Sequence, residues 1–549
     1  MKAYNLLPVL LGFIPLSLFM GFYIYFSQNL FILDDYNMIG TPFIESIKSP
    51  SISGKLKAVF SQQNEYRFPL LALISLIQYK LFGQLNFTYY IFLGNLIIYS
   101  ICFLLLFVWR KKVKISTFLP VLYLVFPLHI FIIITWANAS CQYLCALGFT
   151  IFTIFLLLNE GKIKYLAFLT AFLAVFSFGS GLLALPFAII ILATKANYKL
   201  MAIWVLYAVG IYMFYFTGYI KGDGIVTFAL QSIQHSVLNI PKGFLWIHGG
   251  WSDLFMNEDN PLRLKVVGFF GFITFLSSVY VIYQSFWKLK ESKDYLQNAF
   301  LFFVLLLLMV VISMVAIGRA GINPEISSMV SNHRYYGFLE LSLIYLYFSS
   351  NLNQKTQGFI TICAMVLFFC GFYKYSIYMS DRAKVVAADR ANHYLNPVLG
   401  TDNAFQNFQN SIDKDLSHLG AYSFPSTDLH REWKVISGKR NIEGDLKVNQ
   451  VLELQKNTFI TITDDSFDQQ PINYLGLNGI YFVLKSDNKT FVFSTKNMFR
   501  NFKFWHSSRN KVFTNIEKEL LGKGTYKVYL CLYQNNRIQY FTTNKIIKV

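Results

Sequence analysis

The sequence predicts a polytopic α-helical membrane protein followed by a strand-rich soluble domain, and three observations carry that prediction. Of 549 residues, 55% are hydrophobic, 18% aromatic and only 14% charged, with a positive mean hydropathy, a balance foreign to soluble chains of this length. Apolar runs long enough to cross a hydrocarbon core of roughly 30 Å recur as far as about residue 380. From about Ser380 the composition turns polar, and short β-prone runs replace the long apolar ones.

The first apolar run, Asn5 to Gln28, has a weak basic flank at Lys2 and no small-residue cleavage site after it. It is longer than the core of a signal peptide, so it is read as a retained span. A polar segment, Asn29 to Leu85, follows, in which Phe68 to Phe82 reads as a helix lying in the membrane interface; Ile225 to Trp246 has similar character. Further spans are expected near Asn86–Trp109, Ser116–Thr135, Ser140–Leu158, Lys164–Phe178, Gly181–Thr194, Leu200–Tyr219, Leu264–Trp287, Gln297–Ile317, Tyr336–Ser349 and Gly358–Tyr378, about eleven in all.

The net charge of +19 does not indicate a nucleic-acid partner, because many of the bases sit in short loops between spans. Arg110, Lys111, Lys112 and Lys114 place the loop after the second span on the cytoplasmic side. Alternation then puts Lys162 and Lys164, Lys195 and Lys199, Lys288, Lys290 and Lys293, and Lys355 on that same side, while the outer turns at Ala137 and Gly179 carry no base. The amino terminus is thus expected in the cytoplasm and the tail outside. The six cysteines form neither a disulfide framework nor a zinc spacing, and a divalent metal is possible but not indicated.

The expected organisation is a membrane domain over residues 1–379 with outer loops 29–85, 220–263 and 319–335, a partly helical linker over 380–425, and a β-rich domain over 426–549. In the last, Phe459–Thr463, Gly479–Ser486 and Thr490–Thr495 are β-prone. Tyr526 to Tyr533 alternates and turns at Asn535-Asn536 into Arg537 to Val549, a hairpin pointing to a β-sandwich.

Charge beside a membrane bundle is costly and marks functional candidates. The acidic pair Asp34-Asp35 closely follows the first span; partial burial and mutual repulsion push one carboxyl upward, as a general base near neutral pH requires. In Asn64-Glu65-Tyr66-Arg67, the arginine could grip a phosphate bidentately, with Glu65 orienting it or binding a sugar hydroxyl and Tyr66 beside them. Arg319, His333 and Arg334 lie on the outer side, against the positive-inside tendency, as a receptor for an anionic lipid headgroup. Trp136 could stack on a sugar with Asn138 beside it, and Trp246, His248, Trp251 and Asp253 form a wet aromatic loop suited to carbohydrate.

One span, an outer loop opening on an acidic pair, an amphipathic re-entry ending at Gly83 and a span from Asn86 resemble the GT-C membrane glycosyltransferases. Asn64-Glu65-Tyr66-Arg67 and Gly318-Arg319 to Arg334-Tyr335 look like stretches of bacterial members of that superfamily. The resemblance implies an enzyme of the bacterial inner membrane that moves a sugar, with inversion, from a polyprenyl-phosphate donor to an O-antigen, wall polymer or lipid-linked oligosaccharide. Asp34 or Asp35 would be the base, Arg67, Arg319, His333 and Arg334 would hold the phosphate, and no cofactor is required. A polysaccharide polymerase or ligase is the nearest alternative. A lipid-linked glycan flippase is disfavoured by the scarcity of mid-span charge.

Overall fold

The computed structural model describes residues 6–32, 34–63, 66–220, 239–254, 262–290, 294–319, 331–395, 404–422, 446–448, 451–455, 459–464, 477–497, 512–534 and 537–549. The chain forms two compact units, one of Met1–Phe372 with Ile412–Ser423 and one of Tyr373–Ser411 with Phe424–Val549.

In the first unit, helix α1 (Leu6–Phe26) is apolar all round. It buries Phe19, Phe22 and Tyr23 while Leu10, Phe13 and Ile24 stay exposed, the distribution of a helix packed on one side and facing lipid on the other. The chain then turns at Asp34-Asp35 into a π-helical stretch (Tyr36–Gly40) that leads into α2 (Thr41–Lys48). Helix α3 (Ile52–Val59), the paired strands β1 (Gln62–Gln63) and β2 (Tyr66–Arg67), and α4 (Pro69–Phe82) complete the segment. Pro69 starts α4 where a missing N–H is harmless, and Gly83, at φ 69°, closes it in the left-handed region. This is the helix expected over Phe68 to Phe82. Asn86 caps α5 (Phe87–Trp109), and the Asn29 carboxamide oxygen accepts from the Phe87 N–H at 2.8 Å, tying together the two ends of the segment.

The bundle continues with α6 (Ile115–Val125), carried to Thr135 by short 3-10 turns, and α7 (Ala137–Leu158), which holds a π turn at Ser140–Leu144. Then come α8 (Leu166–Val175), α9 (Ala184–Thr194), α10 (Tyr198–Phe216), α11 (Asn239–His248), α12 (Arg263–Trp287), α13 (Tyr295–Arg319), α14 (Ser331–Phe348) and α15 (Gln354–Leu395). Every run expected to span is helical, and among the described residues eight helices are long and apolar enough to cross a membrane. The three others are α8 and α9, which are short, and α14, which carries Asn332, His333, Arg334 and Glu340. Of the second amphipathic stretch, residues 225–238 lie outside the described residues and the remainder enters α11.

Residues 380–425 are not a simple linker. Helix α15 runs on to Leu395, and the end of α16 (Ala404–His418) belongs with the first unit. From Ile412 to Tyr422 the chain straps the acidic loop. Ile412 sits where a β-carbon on Gly40 would lie 2.9 Å from it, so only glycine seats the strap this closely. The Tyr36 hydroxyl donates to Asp413 at 3.4 Å, Lys48 pairs with Asp415 at 2.7 Å, and the Tyr422 hydroxyl donates to the Asn29 carbonyl at 2.8 Å. The Tyr422 ring packs edge-on against Phe31 and Phe87.

In the second unit, strands β3 (Leu446–Val448), β6 (Gly479–Lys485), β7 (Thr490–Ser494), β10 (Thr525–Gln534) and β11 (Arg537–Lys548) form one sheet in the order β3-β11-β10-β6-β7. Strands β4 (Val451–Gln455), β5 (Phe459–Asp464), β8 (Lys496–Asn497) and β9 (Val512–Glu517) form a second in the order β4-β5-β9-β8. Ile462 and Ile516 of the second sheet share a core with Ile480, Phe482, Leu484, Val528 and Leu530 of the first, as in a sandwich. The first sheet's other face, Tyr481, Val483, Tyr529 and Cys531, is covered by Ala388 of α15. Burial on both faces explains why β6 reads as a continuous apolar run rather than an alternation. The expected hairpin is the β10–β11 pair, with its turn, Asn535-Asn536, outside the described residues.

Candidate functional site

The two acids of the loop after α1 have opposite surroundings. Asp35 is wholly buried. One carboxylate oxygen accepts from the Ile32 N–H at 3.0 Å, and the other accepts from the Trp136 indole and the Asn138 N–H, both at 3.1 Å. Asp35 therefore caps the start of α7 from another segment, satisfying a helix N–H that has no partner within the helix. Burial pushes its carboxyl up to about 8, with the three N–H donors pulling the other way. Asp34 is exposed, and the protein crowding it holds its carboxyl above the ordinary carboxylate value.

Trp136 and Asn138 were expected at sugar, yet both are committed to Asp35; the Asn138 amide also donates to the Met38 sulfur at 3.2 Å. Arg67, expected at phosphate, is buried. Its guanidinium donates to the carbonyls of Tyr215 at 2.7 Å and Thr217 at 2.6 Å and to that of Phe60. It closes the carboxyl end of α10, where a cation suits orphan carbonyls, and this occupation removes it from the candidate phosphate ligands. Glu65 lies outside the described residues. Tyr66 packs on Phe178, centroids 4.8 Å apart, and against Gly179.

Arg334 is buried and pairs with Asp253 at 2.7 Å, while Arg263 grips the same carboxylate at 2.5 and 2.8 Å. Asp253 is thus an anchor for two arginines rather than a carbohydrate contact. Nearby in sequence, His248 Nδ1 lies 2.7 Å from Glu340, whose other oxygen accepts from the Ser278 hydroxyl at 3.2 Å; His248 and Glu340 are both fully buried. The impression of a bundle poor in internal charge is corrected by this pair.

What remains converges on Tyr143, in the π turn of α7. That turn is pressed against α5 at Gly94, where a β-carbon would meet the Ser140 backbone at 2.6 Å. The Tyr143 hydroxyl is within hydrogen-bonding reach of the Arg319 and Asn332 side chains and within electrostatic reach of Asp34. Its ring stands edge-on to His333, centroids 6.2 Å apart, and His333 lies parallel to Tyr336 at 6.3 Å. His333 is buried and lies beside the Arg319 charge, and both disfavour an imidazolium, so its imidazole is neutral. His333 was expected to lend positive charge to a phosphate, and in this setting it offers neutral hydrogen bonds instead.

The site thus gathers an exposed carboxylate from the loop after α1, a phenol from α7 and a cation at the end of α13, with a carboxamide and a neutral imidazole from α14. Sequence reasoning missed Tyr143 and gave Asn332 no role of its own within the stretch from Ser331 to Tyr336, since neither carries charge and their convergence depends on helix packing. Among the described residues no group of His, Cys, Asp and Glu is arranged to hold a metal ion. Comparison with protein-family models, curated proteins and solved structures returned no match.

Proposed function

We propose that the protein is a membrane glycosyltransferase that moves a sugar from a polyprenyl-phosphate donor to a surface glycan at the outer face of a bacterial inner membrane, with inversion. The observation that carries this reading is the convergence of one accessible carboxylate, Asp34, and one cation, Arg319, around the Tyr143 hydroxyl. In the proposed step the Asp34 carboxylate takes the proton of the acceptor hydroxyl as that oxygen attacks the anomeric carbon. The carbon–oxygen bond to phosphate breaks, its electron pair leaves with the lipid phosphate, and Arg319 meets the growing charge. A single displacement from the opposite face inverts the anomeric centre. On this reading the three shorter or more polar helices complete an odd number of crossings, the amino terminus is cytoplasmic and the strand-rich unit lies outside.

The test is mass spectrometry of surface glycans from cells lacking the gene and complemented with wild type, Asp34→Asn or Arg319→Gln. Wild type is expected to restore a sugar that the deletion removes, and neither variant is. Full restoration by both would remove the proposed site. A polymerase or ligase would change glycan length or attachment instead of a side sugar. One observation favours flipping of a lipid-linked glycan, the buried His248–Glu340 pair, since ionisable groups inside a bundle mark transport paths. Glu340→Gln would then block translocation of a fluorescent lipid-linked sugar in vesicles, whereas a protein that only transfers sugar would translocate none with or without the substitution.

A further inference from the structure

The Tyr143 cluster contains buried polar atoms that the protein leaves unused. Asn332 Oδ1 and His333 Nδ1 are buried without a hydrogen-bond partner, although His333 is only 3% exposed. Buried polar groups are nearly always satisfied in folded proteins, and each orphan is costly to maintain. Both orphans sit on the first turn of α14, beside the Tyr143 ring and the Arg319 charge. The His333 ring is held by Tyr143 on its edge and Tyr336 on its face, so its orientation is set by packing and its Nδ1 remains available to a ligand.

The chemistry of these atoms differs from that of an anion receptor. A carboxamide oxygen accepts and cannot donate, and a neutral imidazole has one donor and one acceptor. The Tyr143 oxygen faces the Arg319 and Asn332 donors, which leaves its own proton to be donated. Acceptors interleaved with donors match neighbouring hydroxyls, each of which both gives and takes a hydrogen bond; a phosphate, which only accepts at neutral pH, would leave Asn332 Oδ1 unsatisfied.

We infer that Asn332 and His333 are specificity-determining residues that hydrogen-bond two hydroxyls of the transferred sugar, and that Arg319 serves the lipid phosphate without them. The inference rests on the lipid-phosphate-sugar reading and deepens it by dividing the site into an anion end and a polyol end. A site built to satisfy a hydroxyl rejects an analogue lacking it, because its buried groups are then left unpaired.

The experiment is equilibrium binding in detergent of farnesyl phosphate and of a panel of farnesyl-phosphoryl hexoses and their monodeoxy forms. Proteins compared are wild type, Arg319→Gln, Asn332→Leu and His333→Phe, the last keeping an aromatic ring between Tyr143 and Tyr336. Arg319→Gln is expected to weaken every ligand. Asn332→Leu and His333→Phe are expected to leave farnesyl phosphate unchanged, which also certifies folding, and to weaken the preferred hexose about tenfold each. For each variant one monodeoxy ligand should bind no worse than to wild type. Equal weakening of farnesyl phosphate and hexose, or no weakening of either, overturns the inference. A wild-type protein that binds neither ligand overturns the lipid-phosphate reading itself, a result distinguishable from the other two.

Discussion

Asp34 and Asp35 are neighbours in the chain and strangers in environment. Asp35, buried beneath the start of α7, holds that helix in place, so Asp35→Ala is expected to cost about 1–2 kcal/mol of stability and to lower the melting temperature in detergent. On the proposed transferase reading, Asp34→Asn should leave melting unchanged and slow turnover by roughly 10²–10⁴. Because Asp34 sits above the usual carboxylate value, the acid limb of the rate profile should lie at correspondingly higher pH; a limb at an ordinary carboxylate value would argue for another base. For Asp35, the folded value of about 8 exceeds an unfolded value of about 3.9, so the folded state holds the extra proton between them. Its contribution to stability is therefore full below about pH 4, declines as pH rises toward 8, and is flat beyond. Melting curves across that window should fall more steeply for wild type than for Asp35→Asn. The acidic pair was legible because carboxylates after a span are rare. The role of Arg67 was not, since two of its carbonyl partners lie about 150 residues away at the end of α10.

At the scale of elements, the strap from Ile412 to Tyr422 decides how firmly the acidic loop is held. Tyr422→Ala removes a ring packed on Phe31 and Phe87 and a hydrogen bond to Asn29, a change expected to cost on the order of 3–5 kcal/mol. Hydrogen–deuterium exchange should quicken over residues 29–40 and stay unchanged over β10. Unaltered exchange in the loop would mean that the strap is an ornament. Helix α14 presents a second dependence, since Glu340 answers both His248 and Ser278. Removing one partner of a buried pair typically costs about 3–5 kcal/mol, and Glu340→Ala should lower thermal stability accordingly. The eight long apolar helices were readable from apolar run length. The strap was not, because a polar stretch rich in Asp, Asn and Gln has no period that announces a distant partner.

At the scale of the whole molecule, the division into a helical membrane part and a strand-rich part followed from composition, and both parts are present. The number of crossings did not follow, because α8 and α9 are too short for a length rule and α14 trades hydropathy for polar side chains. A phosphatase fused after Val549 should be active outside the cell membrane if all eleven helices cross, and silent if only the eight long apolar ones do. Strands such as β3 and β4 escaped notice because three to five residues are too few to stand out from the polar stretch around them, whereas β10 and β11 declared themselves through a clear hairpin pattern. One contact in the second unit reaches beyond stability. Asn392 on α15 donates to the Val492 carbonyl at 2.8 Å and accepts from its N–H at 2.6 Å, occupying the outer rim of β7, the last strand of its sheet. Since the ribosome makes Asn392 a hundred residues before Val492, the cap exists before the rim it covers. The nascent sheet therefore meets its own helix before any neighbouring chain can zip onto it, and Asn392→Ala should first betray itself as self-association during synthesis rather than as a weaker finished fold.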